Sequence, residues 1–89
     1  MSSVAGFGIH HTAYLGADGV PARDLPAGLA EADTLVGLYR DMVFARLFDA
    51  RAIALQRTGR LGTYASLLGQ EAVGVGVGHA MGAQDVLLP

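Results

Sequence analysis

Between residues 30 and 58 the apolar side chains Leu38, Met42, Ala45, Phe48, Ala52 and Leu55 recur at intervals of 4, 3, 3, 4 and 3. That is the period of an α-helix, and it draws one continuous stripe along it, with Phe48 and Met42 at its centre. Leu35, Val36, Val43, Phe44, Leu47 and Ile53 fall beside the stripe and widen the apolar face well past it. A helix that is apolar on more than one side needs neighbours on more than one side. A chain of 89 residues has little material to supply them, since a domain of this size buries only roughly 60–65% of its unfolded surface. Composition agrees: 52% of residues are hydrophobic, 16% are charged, and mean hydropathy is +0.39. Such a chain is no disordered segment. It either sheds apolar surface onto a partner or is a piece of something larger.

Local signals bound the helix. Glu31 and Asp33 favour its first turn, Arg57 its last, and Gly59 stands where a left-handed cap belongs, with Arg60 a further charge at the C-terminal end. Arg46 and Asp49, three residues apart, can meet on the surface, but such a pair contributes only about 0.2–0.5 kcal/mol. Residues 1–28 are rich in Gly and Pro and read as an arm or leader, and residues 29–89 as the helical part. Within the arm, Asp18-Gly19 between Tyr14-Leu15 and Val20 signals a tight turn of a small hairpin; a partly disordered leader is the plainer alternative. After the loop Gly59-Arg60-Leu61-Gly62-Thr63-Tyr64, Val73, Val75 and Val77 alternate with Gly74, Gly76 and Gly78. Periodicity alone reads this run as a strand, whereas Gln70-Glu71-Ala72 reads as a helix start. Both readings stand at this level.

Charge and composition exclude several chemistries. The net charge is −2 and the pI 5.8, which argues against a nucleic-acid footprint and against anionic membrane. All six basic residues are Arg, and Lys, Cys, Trp and Asn do not occur. A thiolate site, a Walker-type lysine and a Schiff base are thereby excluded, and the lack of Cys fits a reducing compartment. No window nears 18 consecutive apolar residues, and nothing basic precedes the apolar stretch of the first eleven residues, so neither a membrane span nor a secretory signal is expected. The glycine run fails the dinucleotide fingerprint, because His79 and Met81 stand where a third glycine is required. His10, His11 and His79 lack ligand spacing and are read as surface or hydrogen-bonded residues, with no metal expected. Ser66 lacks a nucleophile-elbow frame.

The order of motifs carries more than any one of them. Leu38-Tyr39-Arg40-Asp41-Met42-Val43 is followed by Arg46-Leu47-Phe48-Asp49, Leu55-Gln56-Arg57, Gly59-Arg60-Leu61-Gly62 and Gly69-Gln70-Glu71-Ala72. From about Leu35 to Pro89 the chain resembles the alpha subunit of the thiamine-diphosphate-dependent decarboxylating component of 2-oxo acid dehydrogenase complexes, of pyruvate or branched-chain type. The resemblance implies a mostly α N-terminal fragment of an α/β thiamine-diphosphate-binding fold: extended arm, long amphipathic helix, loop, and a second, Gly-rich helix opened by Gly-Gln-Glu-Ala. It therefore favours the helix over the strand for residues 73–77.

Several functional expectations follow from the resemblance. The parent oxidatively decarboxylates a 2-oxo acid on thiamine diphosphate with Mg²⁺ and passes the acyl group to a lipoyl-bearing acyltransferase component. It assembles as two alpha plus two beta chains, with the cytoplasm as expected location and neither nucleic acid nor membrane as partner. The family's Gly-Asp-Gly and Asn-Asn diphosphate motif lies farther downstream, as does an aromatic-Arg pair that contacts the cofactor. The chain thus reads as a truncated fragment with no catalytic, cofactor-binding or metal-binding residue of its own, inactive alone. The loop between the helices lines the 2-oxo acid pocket, which nominates Thr63 and Tyr64 as substrate-binding residues. Thr63 departs from the family, which usually has an aromatic there. A packed Tyr64 with its hydroxyl bonded is the plainer reading, as helix start and internal hydrogen bonds are for Gln70 and Glu71. The rival function is a non-catalytic helical interaction module that keeps the scaffold.

Overall fold

The computed structural model describes residues 1–89 and contains two helices, α1 (Ala32–Arg57) and α2 (Glu71–Ala80). α1 opens after Glu31, whose backbone is extended (φ −75°, ψ 132°) and whose side chain makes no capping bond. Asp33 lies in the first turn and Arg57 in the last, each on the side that the helix dipole favours. The C-terminal stop is sharper. Gly59 takes φ +75°, and its N–H donates to the Gln56 carbonyl at 3.0 Å while the Arg60 N–H reaches the Leu55 carbonyl at 2.9 Å. These are the paired bonds of a Schellman motif, closed by the glycine that the sequence nominates.

The face of α1 that turns inward follows the expected stripe except at Phe48. Leu38, Met42, Ala45, Ala52 and Leu55 of the stripe are buried or half-buried, as are Ile53 beside it and the polar Asp49 and Gln56. Phe48, expected on that stripe, is instead 59% exposed. One residue on an α-helix is a rotation of roughly 100°, so a seam through Ala45, Asp49 and Ala52 carries Phe48 to its flank. There it meets Tyr64 edge-on, with ring centroids 6.4 Å apart and planes at 62°.

The Val/Gly run is helical, which settles the strand alternative against periodicity. Gly69 (φ +87°) turns the chain into α2, the Gln70 N–H donates to the Leu67 carbonyl at 2.8 Å, and Glu71 stands in the first turn. Three helical glycines cost about 1 kcal/mol each relative to alanine, so α2 depends on its docking rather than on propensity. It docks antiparallel to α1, Glu71 beside Arg46 and His79 beside Asp41. Upstream, the Asp18-Gly19 signal is a real turn. The Gly19 N–H donates to the Gly16 carbonyl at 3.0 Å, the Asp18 carboxylate takes the Val20 N–H at 3.0 Å, and Leu15 bridges antiparallel to Pro21.

Little apolar surface is covered. Ala52 is the one buried apolar residue, and Tyr39, Phe44, Leu47 and Val73 stand in the open. The accessible surface is 7996 Å², against about 4,900 Å² for a folded monomer of this mass. The radius of gyration, 18.7 Å, likewise exceeds the about 12 Å of a compact domain of this length. No helix is long and apolar enough to cross a membrane.

The cap supplies a clean test. Nothing lies within 4 Å of where a Cβ on Gly59 would stand, so a side chain there meets only the intrinsic cost of the left-handed backbone. Gly59→Ala is expected to destabilise the protein by about 1 kcal/mol, and Gly59→Asn by less. Urea unfolding of the two variants beside the wild type checks the order.

Candidate functional site

The loop that joins α1 to α2 is organised by a carboxylate on α1. Asp49 is 3% exposed, and it accepts three hydrogen bonds from residues 64–67. Its Oδ1 takes the Tyr64 hydroxyl at 3.0 Å and the Leu67 N–H at 2.8 Å, and its Oδ2 takes the Ser66 hydroxyl at 2.8 Å. Ser66 Oγ in turn accepts the Leu68 N–H at 3.3 Å. The Leu67 N–H and the Ser66 hydroxyl hold the Asp49 carboxyl below the usual carboxylate range, against the opposing effect of burial. Tyr64 moves the other way: burial first, then the Asp49 carboxylate, push its phenol up.

A second tie fixes α2. Arg46 Nε donates to Glu71 Oε1 at 2.7 Å, with the Glu71 side chain 4% exposed and the arginine largely in solvent. The guanidinium bond, followed by the backbone N–H of Glu71 itself, draws the Glu71 carboxyl down to about 2. The expected surface pair of Arg46 with Asp49 is therefore not formed. Both side chains are taken by longer-range partners, because each gains more from desolvated, directed bonds than from one exposed helix pair. At the far end of α2, His79 Nε2 lies 2.6 Å from Asp41 Oδ2 in an exposed contact.

The nominated residues sit as follows. Tyr64 is half-buried with its hydroxyl bonded and its ring against Phe48, while its neighbour Thr63 is exposed. The groove beside the loop is lined by Arg46, Asp49, Ser66 and Leu68 among others, and neither Thr63 nor Tyr64 contributes to it. Glu71 does begin a helix, as its sequence position suggests, but its chief partner is Arg46 rather than a neighbour in α2. No three His, Cys, Asp or Glu side chains gather into a cluster that could hold a metal. Read from the sequence, Asp49 is no more than a surface partner for Arg46. A signal was present all the same: an ionisable residue at the 3–4 spacing between Ala45 and Ala52, where the inward seam calls for an apolar one.

Chemically, the arrangement is a scaffold. Asp49 accepts three hydrogen bonds from the loop and Glu71 one from Arg46, so both buried carboxylates are tied into the frame. The clasp predicts an acid response. The folded Glu71 carboxyl lies at about 2 against an ordinary 4.5, so its contribution is complete above the unfolded value and is lost as pH falls through the folded one. Between pH 4.5 and 2 the docking of α2 should weaken, and Glu71→Gln should flatten that limb of the stability profile. Thermal unfolding of both forms across this range checks it.

The dehydrogenase E1 component model matches residues 39–89, more than half of the chain. That stretch takes in most of α1, the loop and all of α2. Among curated proteins, the chain is 47% identical over 57 residues to the pyruvate dehydrogenase E1 component subunit alpha of Bacillus subtilis, covering 64% of this chain and 15% of the relative. The protein of the same name from Bacillus cereus matches at 47% over 57 residues, with the same coverage. That from Staphylococcus epidermidis matches at 44% over 57 residues, again 64% of this chain and 15% of the relative. The chain thus spans about 15% of the length of these relatives. No solved structure matches it. With Arg46, Asp49, the loop and Glu71 all inside the matched stretch, the chain belongs to the dehydrogenase E1 component family.

Proposed function

We propose that this chain is the N-terminal helical part of the alpha subunit of a thiamine-diphosphate-dependent 2-oxo acid dehydrogenase, with residues 29–89 as its helical region and residues 1–28 as an arm. The observation that carries the reading is the family match across α1, the loop and α2 as one unit. The relatives' names make pyruvate the first substrate to test, with branched-chain 2-oxo acids as the alternative. In the assembled α/β enzyme, expected in the cytoplasm as two alpha plus two beta chains, the product acyl group passes to a lipoyl-bearing acyltransferase.

When bound, thiamine diphosphate with Mg²⁺ would supply the carbanion chemistry of decarboxylation. The residues described here do not fit that group. Asp49 and Glu71 are committed to internal bonds, and no acidic or histidine cluster is available for the metal. Their role is to build and orient. α1 and α2 form a frame, and the loop between them presents Thr63 and Tyr64 as a wall of the 2-oxo acid pocket. Loops on rigid frames are where specificity commonly resides. The open apolar faces of α1 support a part that works inside a larger assembly over an independent interaction module.

The test uses the full-length alpha chain assembled with its beta partner. Decarboxylation of pyruvate that depends on added thiamine diphosphate is the expected result, and its absence with every 2-oxo acid tried overturns the reading. Within that assay, Thr63→Phe should shrink the pocket and disfavour branched substrates. The ratio of kcat/KM for pyruvate over 3-methyl-2-oxobutanoate is expected to rise by about 10–200-fold, the worth of a methylene or two of misfit. An unchanged ratio assigns the loop to the scaffold instead.

A further inference from the structure

A buried acid on the inward seam of a helix is costly unless something requires it. At Asp49 the requirement lies wholly in one loop. All three groups that bond its carboxylate come from residues 64–67, and none comes from α2 or the arm. The loop has little else. No backbone–backbone hydrogen bond involves any residue from 62 to 66; those of the Schellman cap end at Leu61, and the next begins at Leu67. Apart from the local bond between Ser66 and Leu68, the hydrogen bonds that fix this stretch are those to Asp49. Both carboxylate oxygens are used, Oδ1 by Tyr64 and Leu67 and Oδ2 by Ser66. They fix a side chain directly after Thr63 and a backbone amide four residues after it.

We infer that Asp49 is a positioning residue for the substrate loop, holding residues 62–67 in the conformation that seats Tyr64 and presents Thr63; this rests on the reading of that loop as a wall of the 2-oxo acid pocket. Asp49 touches no substrate itself. It acts through Tyr64, Ser66 and the Leu67 amide, so its loss should degrade substrate binding more than turnover. An apolar residue there would suit the seam and leave three loop donors without their partner.

The test uses the full-length alpha chain assembled with its beta partner and pyruvate as substrate. Asp49→Ala removes every tie. Ser66→Ala cuts one tie from the loop side and leaves both α1 and the pocket wall unchanged, which keeps the test decisive should Asp49→Ala fail to assemble. Asp49→Asn is the conservative variant: its carbonyl can keep Tyr64 and Leu67 while the Ser66 hydroxyl rotates to accept from the amide. Backbone hydrogen exchange, read by mass spectrometry, is expected to quicken in the segment 62–67 for the first two variants, with Asp49→Asn close to wild type. KM should rise about tenfold or more, as a misplaced binding wall implies, with kcat changed by about twofold at most, the pattern of lost binding.

Unchanged exchange in the loop overturns the inference. Faster exchange with unchanged KM, or with KM unchanged and kcat reduced, also overturns it and leaves Asp49 a purely structural tie. Failure of the pocket reading is seen separately, in Thr63→Phe: a shifted substrate ratio there, alongside unchanged KM in the Asp49 variants, preserves the pocket and removes Asp49 from its support.

Discussion

One carboxylate determines how the middle of this chain is arranged. Asp49 lies on the inward seam of α1, and the chain that leaves α1 at Gly59 folds back far enough for Tyr64, Ser66 and Leu67 to reach it. That return sets where Gly69 turns the backbone and hence where α2 starts. Only then is Glu71 within reach of Arg46, one turn of α1 before Asp49. The register of one helix on the other thus follows from a bond network of side chains, with apolar packing contributing a single buried alanine.

Such a frame is well specified and poorly covered. Directed polar bonds choose one geometry among many, yet in contact with water each contributes modestly. The same bonds strengthen as solvent is excluded, because the effective dielectric falls. The exposed rings and aliphatic side chains along α1 and α2 are the surface through which that exclusion would take place. Geometry and stability therefore have different sources here: the first lies in Asp49, Arg46 and Glu71, and the second in whatever covers α1.

What the sequence disclosed follows the range of the interactions involved. The extent of α1, its Schellman glycine and the Asp18-Gly19 turn are set by neighbours within a few residues, and they were legible. The inward seam was legible to within one position. Apolar residues on both sides of α1 blur the stripe, and Phe48 is a stronger hydrophobic signal than Asp49, which takes the seam for polar reasons. The Val/Gly alternation left strand and helix both open, because what decides between them is the docking of Glu71 and His79 on α1, invisible to a local period. At the loop, a bonded Tyr64 hydroxyl was legible in kind. Its partner, 15 residues away on the preceding helix, was not, since a lone Asp flanked by Phe48 and Ala50 reads as a solvated residue.

The spans of these ties have a kinetic consequence. Every long-range side-chain bond that shapes the frame joins residues between 15 and 38 positions apart. Closing loops of that length involves a modest entropy loss that grows only with the logarithm of length, and arrangements built from near-neighbour contacts form quickly. On a growing polypeptide, all partners of Asp49, Arg46 and Asp41 have been synthesised by the time His79 is added. The α1–loop–α2 frame is therefore a unit whose bonding pattern is complete as soon as His79 has been added.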